Sequence, residues 1–364
     1  MKKLVLETAD IKHNAALIKE AAGSAAVIAV VKGGGYGMGT LRFANLLREC
    51  GADLVAVSSV EEARELRAGG YGDDILLLSP TEVPSVADEI VALSLTASIG
   101  SAASAKVLEN AAKAAGKAVR AHIVLDTGMG RYGFMPEDIN EAAKMLAELE
   151  NIELEGVFSH LHSSFVTGKN FTTCQKEIFD KMLGVLQDKF TFKYVHLANS
   201  CALFAYPQTR YSAVRVGSAF LGRLPAGIGK GLKPCGYIEC SLDAPKSLPK
   251  GHNVGYAATF TAEKDIKIAV AQIGYADGFA VRKAADAYRL SDKLRNLKDA
   301  VKFALFPNKL YCKVEGKTCR ILGRVGMTNC VVDISNVENF TPGTIARFPI
   351  NPIYVNQNVE REYR

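Results

Sequence analysis

The sequence predicts an α/β protein: an N-terminal (β/α)8 TIM barrel followed by a mostly antiparallel β domain. Three observations carry this. Up to about residue 222 short apolar runs alternate with longer amphipathic stretches, the texture changes to short alternating runs after Gly231, and no repeat or low-complexity linker separates the two parts. The 364 residues suffice for a large domain and a smaller one, read as 1–230 and 231–364.

In chain order the candidate strands are 26–31, 54–58, 75–79, 95–99, 119–126, 154–160, 194–199 and 213–217. Helix-like stretches such as LRFANLLREC, VEEARELRAGG, EDINEAAKMLAELE and CQKEIFDKMLGVLQDKF lie between them, apolar at three- and four-residue spacing. A barrel of about 220 residues fits this count; a doubly wound sheet would give a similar string, so the count favours the barrel. Beyond Gly231 the turns PKGHN, EGKT and TPGT separate the runs KIAVAQI, CRILGRV, CVVDI and IARFPI, the pattern of a small antiparallel domain. One segment breaks it. Ala287, Leu290, Leu294, Leu297, Val301 and Ala304 recur three and four apart, which predicts an amphipathic helical insertion over about 281–304 with Lys and Arg on its outer face. Its role is read as a solvated helix packed on the β domain or as a lid or dimer contact.

Composition narrows the function classes. At 48% hydrophobic and 23% charged the chain reads as globular, and no apolar run approaches the roughly 18 residues of a membrane helix. The opening MKKLVLETADIKHN lacks a signal peptide's apolar region, so a cytoplasmic location is expected. The net charge of +6 is local: residues 281–320 hold eleven Lys or Arg against four Asp or Glu, +7, leaving −1 for the rest and no nucleic-acid face. Eight scattered cysteines form no C-x2-C pair, so no metal site is expected.

Barrel chemistry sits at the carboxyl ends of the strands, here Lys32, Ser58, Ser79, Asp126, His160, Asn199 and Arg215. Lys32 closes the apolar run AVIAVV, and desolvation there frees an amine for Schiff-base chemistry. The following GGGYGMG lets a bulky group approach the backbone. Gly217 and Ser218 after the eighth strand, with Asn199–Ser200 after the seventh, suggest a phosphate site.

Eight motifs in order resemble the alanine racemase family, fold-type III pyridoxal-phosphate enzymes. They are AVVKxxxYGxG (29–39), DTGMGRYG (126–133), SHLHS (159–163), HLANS (196–200), VRVG (214–217), GYAATF (255–260), GYADG (274–278) and GRVGM (323–327). The resemblance implies an amino-acid racemase acting on alanine, with pyridoxal 5'-phosphate covalently held by Lys32, which also serves as base on one substrate face. It implies that Tyr256, from the partner subunit of a head-to-tail homodimer, serves the other. Tyr36, Ser200, Gly217 and Ser218 resemble phosphate ligands; Arg215 resembles the arginine facing the pyridine nitrogen, supported by His196; His160 borders the ring. Arg131 and Met327 resemble substrate contacts, with Tyr275 in support.

The sequence departs from the family pattern in several places. Gly33, Gly34 and Met38 stand in VKGGGYGMG where the family has VKANAYGHG, which suggests a more flexible loop. Val124 replaces the lysine or asparagine two residues before the DTGMGR aspartate, so Arg131 needs another restraint. Gly326-Met327-Thr328 replaces C-M-D, and Gln357 falls where the family's tail tyrosine binds phosphate. These changes leave a racemase of serine or of a broader amino-acid set as the alternative, and from a different class a non-catalytic pyridoxal-phosphate homeostasis protein. Proteins of that second kind resemble the barrel alone.

Overall fold

The computed structural model describes residues 2–166, 170–282, 288, 290–305 and 310–364. The chain divides into two compact units, one of residues 8–235 and the other of residues 2–7 with 236–364. Strand β1 (Lys2–Leu6) belongs to the second.

The first unit alternates strands and helices. Its strands are β2 (Ala26–Val30), β3 (Leu54–Val57), β4 (Ile75–Leu77), β5 (Ala97–Ile99), β6 (Val119–Val124), β7 (Ile152–Phe158), β8 (Tyr194–His196) and β9 (Ala213–Val216). They pair in parallel in the order β4-β3-β2-β9-β8-β7-β6-β5, and a parallel bridge from Leu76 to Thr96 joins the edges into a barrel. These strands read as unbroken apolar runs because helices cover the outer face while side chains fill the interior. Ile28, Val30, Leu54, Ala56, Leu76, Tyr194 and Ala213 form one interior cluster, alternate residues of neighbouring strands. Burial of each large aliphatic side chain stabilises by about 1.5–3 kcal/mol.

Three of the helices begin at a short polar side chain that caps them. Ser59 caps Val60–Ala68, Ser101 caps Ala102–Ala115 within a capping box, and Asn199 caps Ser200–Ala205 by accepting from the N–H groups of Cys201 and Ala202.

The second unit is built on a nine-stranded sheet. In chain order its further strands are β10 (Tyr237–Ser241), β11 (Lys246–Leu248), β12 (Asn253–Val254), β13 (Phe260–Thr261), β14 (Ile266–Ala271), β15 (Tyr311–Val314), β16 (Lys317–Leu322), β17 (Cys330–Asp333), β18 (Ile345–Pro349) and β19 (Glu360–Tyr363). The sheet runs β11-β14-β17-β16-β15-β18-β10-β1-β19, with β12 and β13 as a separate ribbon. Pairing is antiparallel except between β1 and β19. The helix of the insertion spans Leu290–Leu305. Its stripe does not pack on the sheet: Leu290, Leu294, Leu297, Val301 and Leu305 are all more than half exposed. Ala287 and the side chain of Ala304 lie outside the described residues. Among the described residues no helix is long and apolar enough to cross a membrane.

Candidate active site

A cavity of about 420 Å³ opens at the carboxyl ends of the barrel strands, lined by Lys32, Tyr36, Arg131, His160, Ser200, Arg215, Gly217 and Ser218 among others. Lys32 follows β2 and is exposed at the cavity mouth. Partial burial of its ammonium, then Arg131 and Arg215, lower its pKa against the opposing pull of Glu62.

The glycines after Lys32 are needed for conformation. Gly33, Gly34 and Gly35 have φ of 64°, 62° and 64°, and Tyr36 follows at 56°, so the segment makes a left-handed turn that L side chains resist. Its geometry is defined rather than loose: the Glu62 carboxylate accepts from the Gly33 N–H and from the N–H and hydroxyl of Ser58.

That turn brings Tyr36 against Gly217, where an added Cβ would lie 2.3 Å from the tyrosine hydroxyl oxygen. Ser200 Oγ accepts from Gly217 N at 3.0 Å, fixing the backbone beside Ser218. Burial pushes the Tyr36 phenol up to about 12, so it stays protonated as a donor.

Arg215, on β9 two residues before Gly217, is buried. Its guanidinium donates to His196 Nδ1 at 2.8 Å, Ser159 O at 2.9 Å and His160 Nδ1 at 3.0 Å. Burial brings its pKa down to about 10, still cationic at neutral pH. His160 falls to about 3 through burial, Arg215, Arg131 and Lys32, and is therefore a neutral imidazole. His196 lies fully buried behind Arg215, its ring stacked on Phe158.

Arg131 sits on the loop after β6, where Asp126 accepts from Gly128 N and Gly130 N. In place of the polar restraint that Val124 removes, its guanidinium lies 5.5 Å from the centroid of the Tyr132 ring. Buried Gln175 ties this loop to the one after β7, donating to Thr127 Oγ1 and His160 O and accepting from His162 N. Sequence reasoning missed Gln175 and Glu62. The spacing of Ser59 and Glu62, that of a capping box, could have flagged the glutamate; nothing local distinguishes a buried glutamine on a helix.

Tyr256, Tyr275 and Met327 lie in the second unit, 76%, 53% and 58% exposed. Their loops adjoin: Tyr275 N donates to Gly326 O, Ala276 N to Met327 O, and an added Cβ at Gly255 would lie 3.4 Å from Arg324 N. The barrel cavity gathers the other predicted site residues, with His196 just behind it.

A parallel barrel with a lysine, two arginines and the hydroxyl residues Tyr36, Ser200 and Ser218 around one cavity is the architecture of an enzyme with its chemistry at the strand ends. The chain belongs to the alanine racemase family, whose N-terminal domain model matches residues 6–225 and whose C-terminal domain model matches 238–348. The alanine racemase of Clostridium tetani is 32% identical over 338 residues, 91% of this chain and 81% of the relative. Alanine racemase 1 of Clostridium acetobutylicum is 31% identical over 341 residues, 92% and 82% respectively. The alanine racemase of D-cycloserine-producing Streptomyces lavendulae superimposes with a TM-score of 0.83 at 26% identity, covering 100% of this chain and 97% of that one. The family is pyridoxal-phosphate dependent.

Proposed function

We propose that the protein is a cytoplasmic alanine racemase that holds pyridoxal 5'-phosphate through Lys32 and works as a homodimer with Tyr256 supplied across the subunit interface. The carrying observation is the single cavity shared by Lys32, Arg131 and Arg215. Its residues fit the cofactor: a lysine of lowered pKa for the carbonyl carbon, and a glycine at 217 whose missing Cβ lets the Tyr36 phenol pack against the backbone as one wall of a cradle. Ser200, Ser218 and Tyr36 supply hydroxyls there for the phosphate.

When bound, the cofactor's conjugated ring stabilises a carbanion at the substrate Cα. The protein must supply a proton donor and acceptor on each face of that carbon. Lys32 serves one face, its amine freed by desolvation and by the neighbouring arginines. The exposed Tyr256 phenol is available to a second copy's cavity and serves the other. Arg215, cationic at neutral pH, would face the cofactor's ring nitrogen and, as a donor only, would disfavour protonation there and so competing transamination. Arg131 receives the substrate carboxylate, and neutral His160 borders the ring without adding charge.

Purified protein with L-alanine and cofactor should yield D-alanine by chiral chromatography, and Lys32→Ala should lose bound cofactor. Failure to racemise any small L-amino acid refutes the reading. Gly326 and Thr328, in place of the family's cysteine and aspartate, favour a second reading, a serine or broader racemase. A substrate panel assayed side by side separates the two.

A further inference from the structure

A line of polar side chains runs through the barrel interior from Arg215 to Glu155. Arg215 Nη1 lies 2.8 Å from His196 Nδ1, His196 Nε2 lies 2.9 Å from His122 Nδ1, and His122 Nε2 lies 3.5 Å from Glu155 Oε1. Both imidazoles are wholly buried, and the glutamate side chain is 9% exposed.

The direction of the line follows from its end. A guanidinium only donates, so His196 Nδ1 presents a lone pair and its proton sits on Nε2. That N–H requires a lone pair on His122 Nδ1, which places the second imidazole's proton on Nε2, facing the carboxylate. A doubly protonated ring at either position would set N–H against N–H. Both histidines are therefore neutral, with their donors aimed away from Arg215. Burial lowers both pKa values in the same sense. Burial alone would raise Glu155, but His122, Arg120 and Lys193 outweigh it and keep the carboxylate ionised.

Two backbone features build this line. Strand β7 slips against β6 so that Leu154 pairs with Ala121 and Gly156 with His122, leaving Glu155 as the extra residue of a bulge. At Gly156 a Cβ would lie 2.7 Å from three atoms of the His122 ring, so glycine makes room for the imidazole. Thr96 Oγ1 donates to Glu155 Oε1 at 3.4 Å, whereas His122 Nε2 reaches that oxygen only as an electrostatic contact without hydrogen-bond geometry.

We propose that Glu155, acting through His122 and His196, is a positioning residue for Arg215. Its carboxylate is the remote counter-charge that polarises the line and holds the guanidinium, which has no carboxylate among its hydrogen-bond acceptors in the described residues, in the cavity wall. The catalytic consequence rests on the racemase reading above; the line itself does not.

Long-range ¹⁵N–¹H correlation spectra of cofactor-free protein should show Nε2–H tautomers at His122 and His196. In Glu155→Gln, which keeps size and an acceptor, the His196 N–H resonance should move although that ring does not touch position 155. On loading with pyridoxal phosphate, the cofactor's visible band should shift and kcat fall about tenfold with KM nearly unchanged. Gly156→Ala, which displaces the His122 ring and leaves the charge in place, should do the same. An Nδ1–H tautomer or a doubly protonated ring at either histidine overturns the line. A His196 resonance, cofactor band and kcat all like wild type in Glu155→Gln overturn the role of Glu155. If the wild-type protein racemises nothing, the cofactor-free spectra still decide the line, so the two readings fail separately.

Discussion

Gly217→Ala tests the cradle with one methyl group. The new Cβ would lie 2.3 Å from Tyr36 Oη, 2.7 Å from Cζ and 2.8 Å from Cε2, against an ordinary contact of about 3.5–4.0 Å. Relief requires a shift of about 1 Å. The Gly217 backbone is held by Ser200 Oγ at 3.0 Å, so the tyrosine ring must move. The ring cannot simply retreat, because it leaves the left-handed turn at φ 56° and packs against the interior cluster of the barrel. Overpacking of this kind costs about 1–3 kcal/mol. On the proposed reading the cost falls on the geometry that would receive the phosphate, so cofactor affinity should weaken by about 5- to 150-fold. Titration of cofactor-free protein with pyridoxal phosphate, followed by absorbance, measures it. Gly184→Ala is the control: that helical glycine has nothing within 4 Å of an added Cβ, and alanine there should be neutral or stabilising by up to about 1 kcal/mol. Equal affinity of Gly217→Ala and the control would refute the cradle.

Gly33→Ala meets no atom within 4 Å, so its cost is conformational: about 1–2 kcal/mol for a left-handed L residue, less about 0.4–1 for the stiffer unfolded chain. Urea unfolding should show a net loss near 1 kcal/mol, and an unchanged midpoint would disprove the turn. His160 protonates near pH 3 when folded and near 6.5 when unfolded, so the unfolded state binds more protons between those values and stability drops as pH falls through them. The full window corresponds to about 4–5 kcal/mol, with buried His122 and His196 acting in the same direction. Unfolding midpoints at pH 7, 5.5 and 4.5 should show the slope, flattened in His160→Gln; equal slopes would remove His160 from the account. Mixing inactive Lys32→Ala and Tyr256→Phe chains with subunit exchange should restore about a quarter of wild-type activity, because each mixed dimer regains one site. No recovery would mean that the two residues do not act across subunits.

The sequence was most informative where structure is set locally. Runs such as AVIAV and LVAV read as strands because both faces of a parallel barrel are buried, and the glycine motifs marked the strand ends that carry Lys32 and Gly217. Non-local pairing was hidden. KKLVL and EREY lie at opposite ends of the chain yet pair in parallel, and no periodicity in either segment announces its partner. The VKGGGYGMG glycines suggested looseness from composition, whereas their φ values make a defined left-handed turn. A residue type gives the conformations that are allowed, and the Glu62 hydrogen bonds select one of them. For Leu290–Leu305 the period gave the helix but not its packing, because an amphipathic stripe encodes a wish for a partner without naming one.

The charge layout of the cavity explains why its departures from the family pattern need not weaken it. Lys32, Arg131 and Arg215 share one cavity, and Glu62, the acid whose charge acts on Lys32, is committed to backbone N–H groups and the Ser58 hydroxyl. The arrangement is costly at Arg215, the buried one of the three, because a buried cation with no acid in contact among the described residues loses hydration and gains little Coulomb energy in return. On the proposed reading, a phosphate at Gly217 and a substrate carboxylate at Arg131 would supply anions there. Val124 carries no charge, so it offers Arg131 nothing that competes with the substrate carboxylate. A site of this kind is ordered by its ligands' charge as much as by its own packing, and binding energy and folding stability rise together.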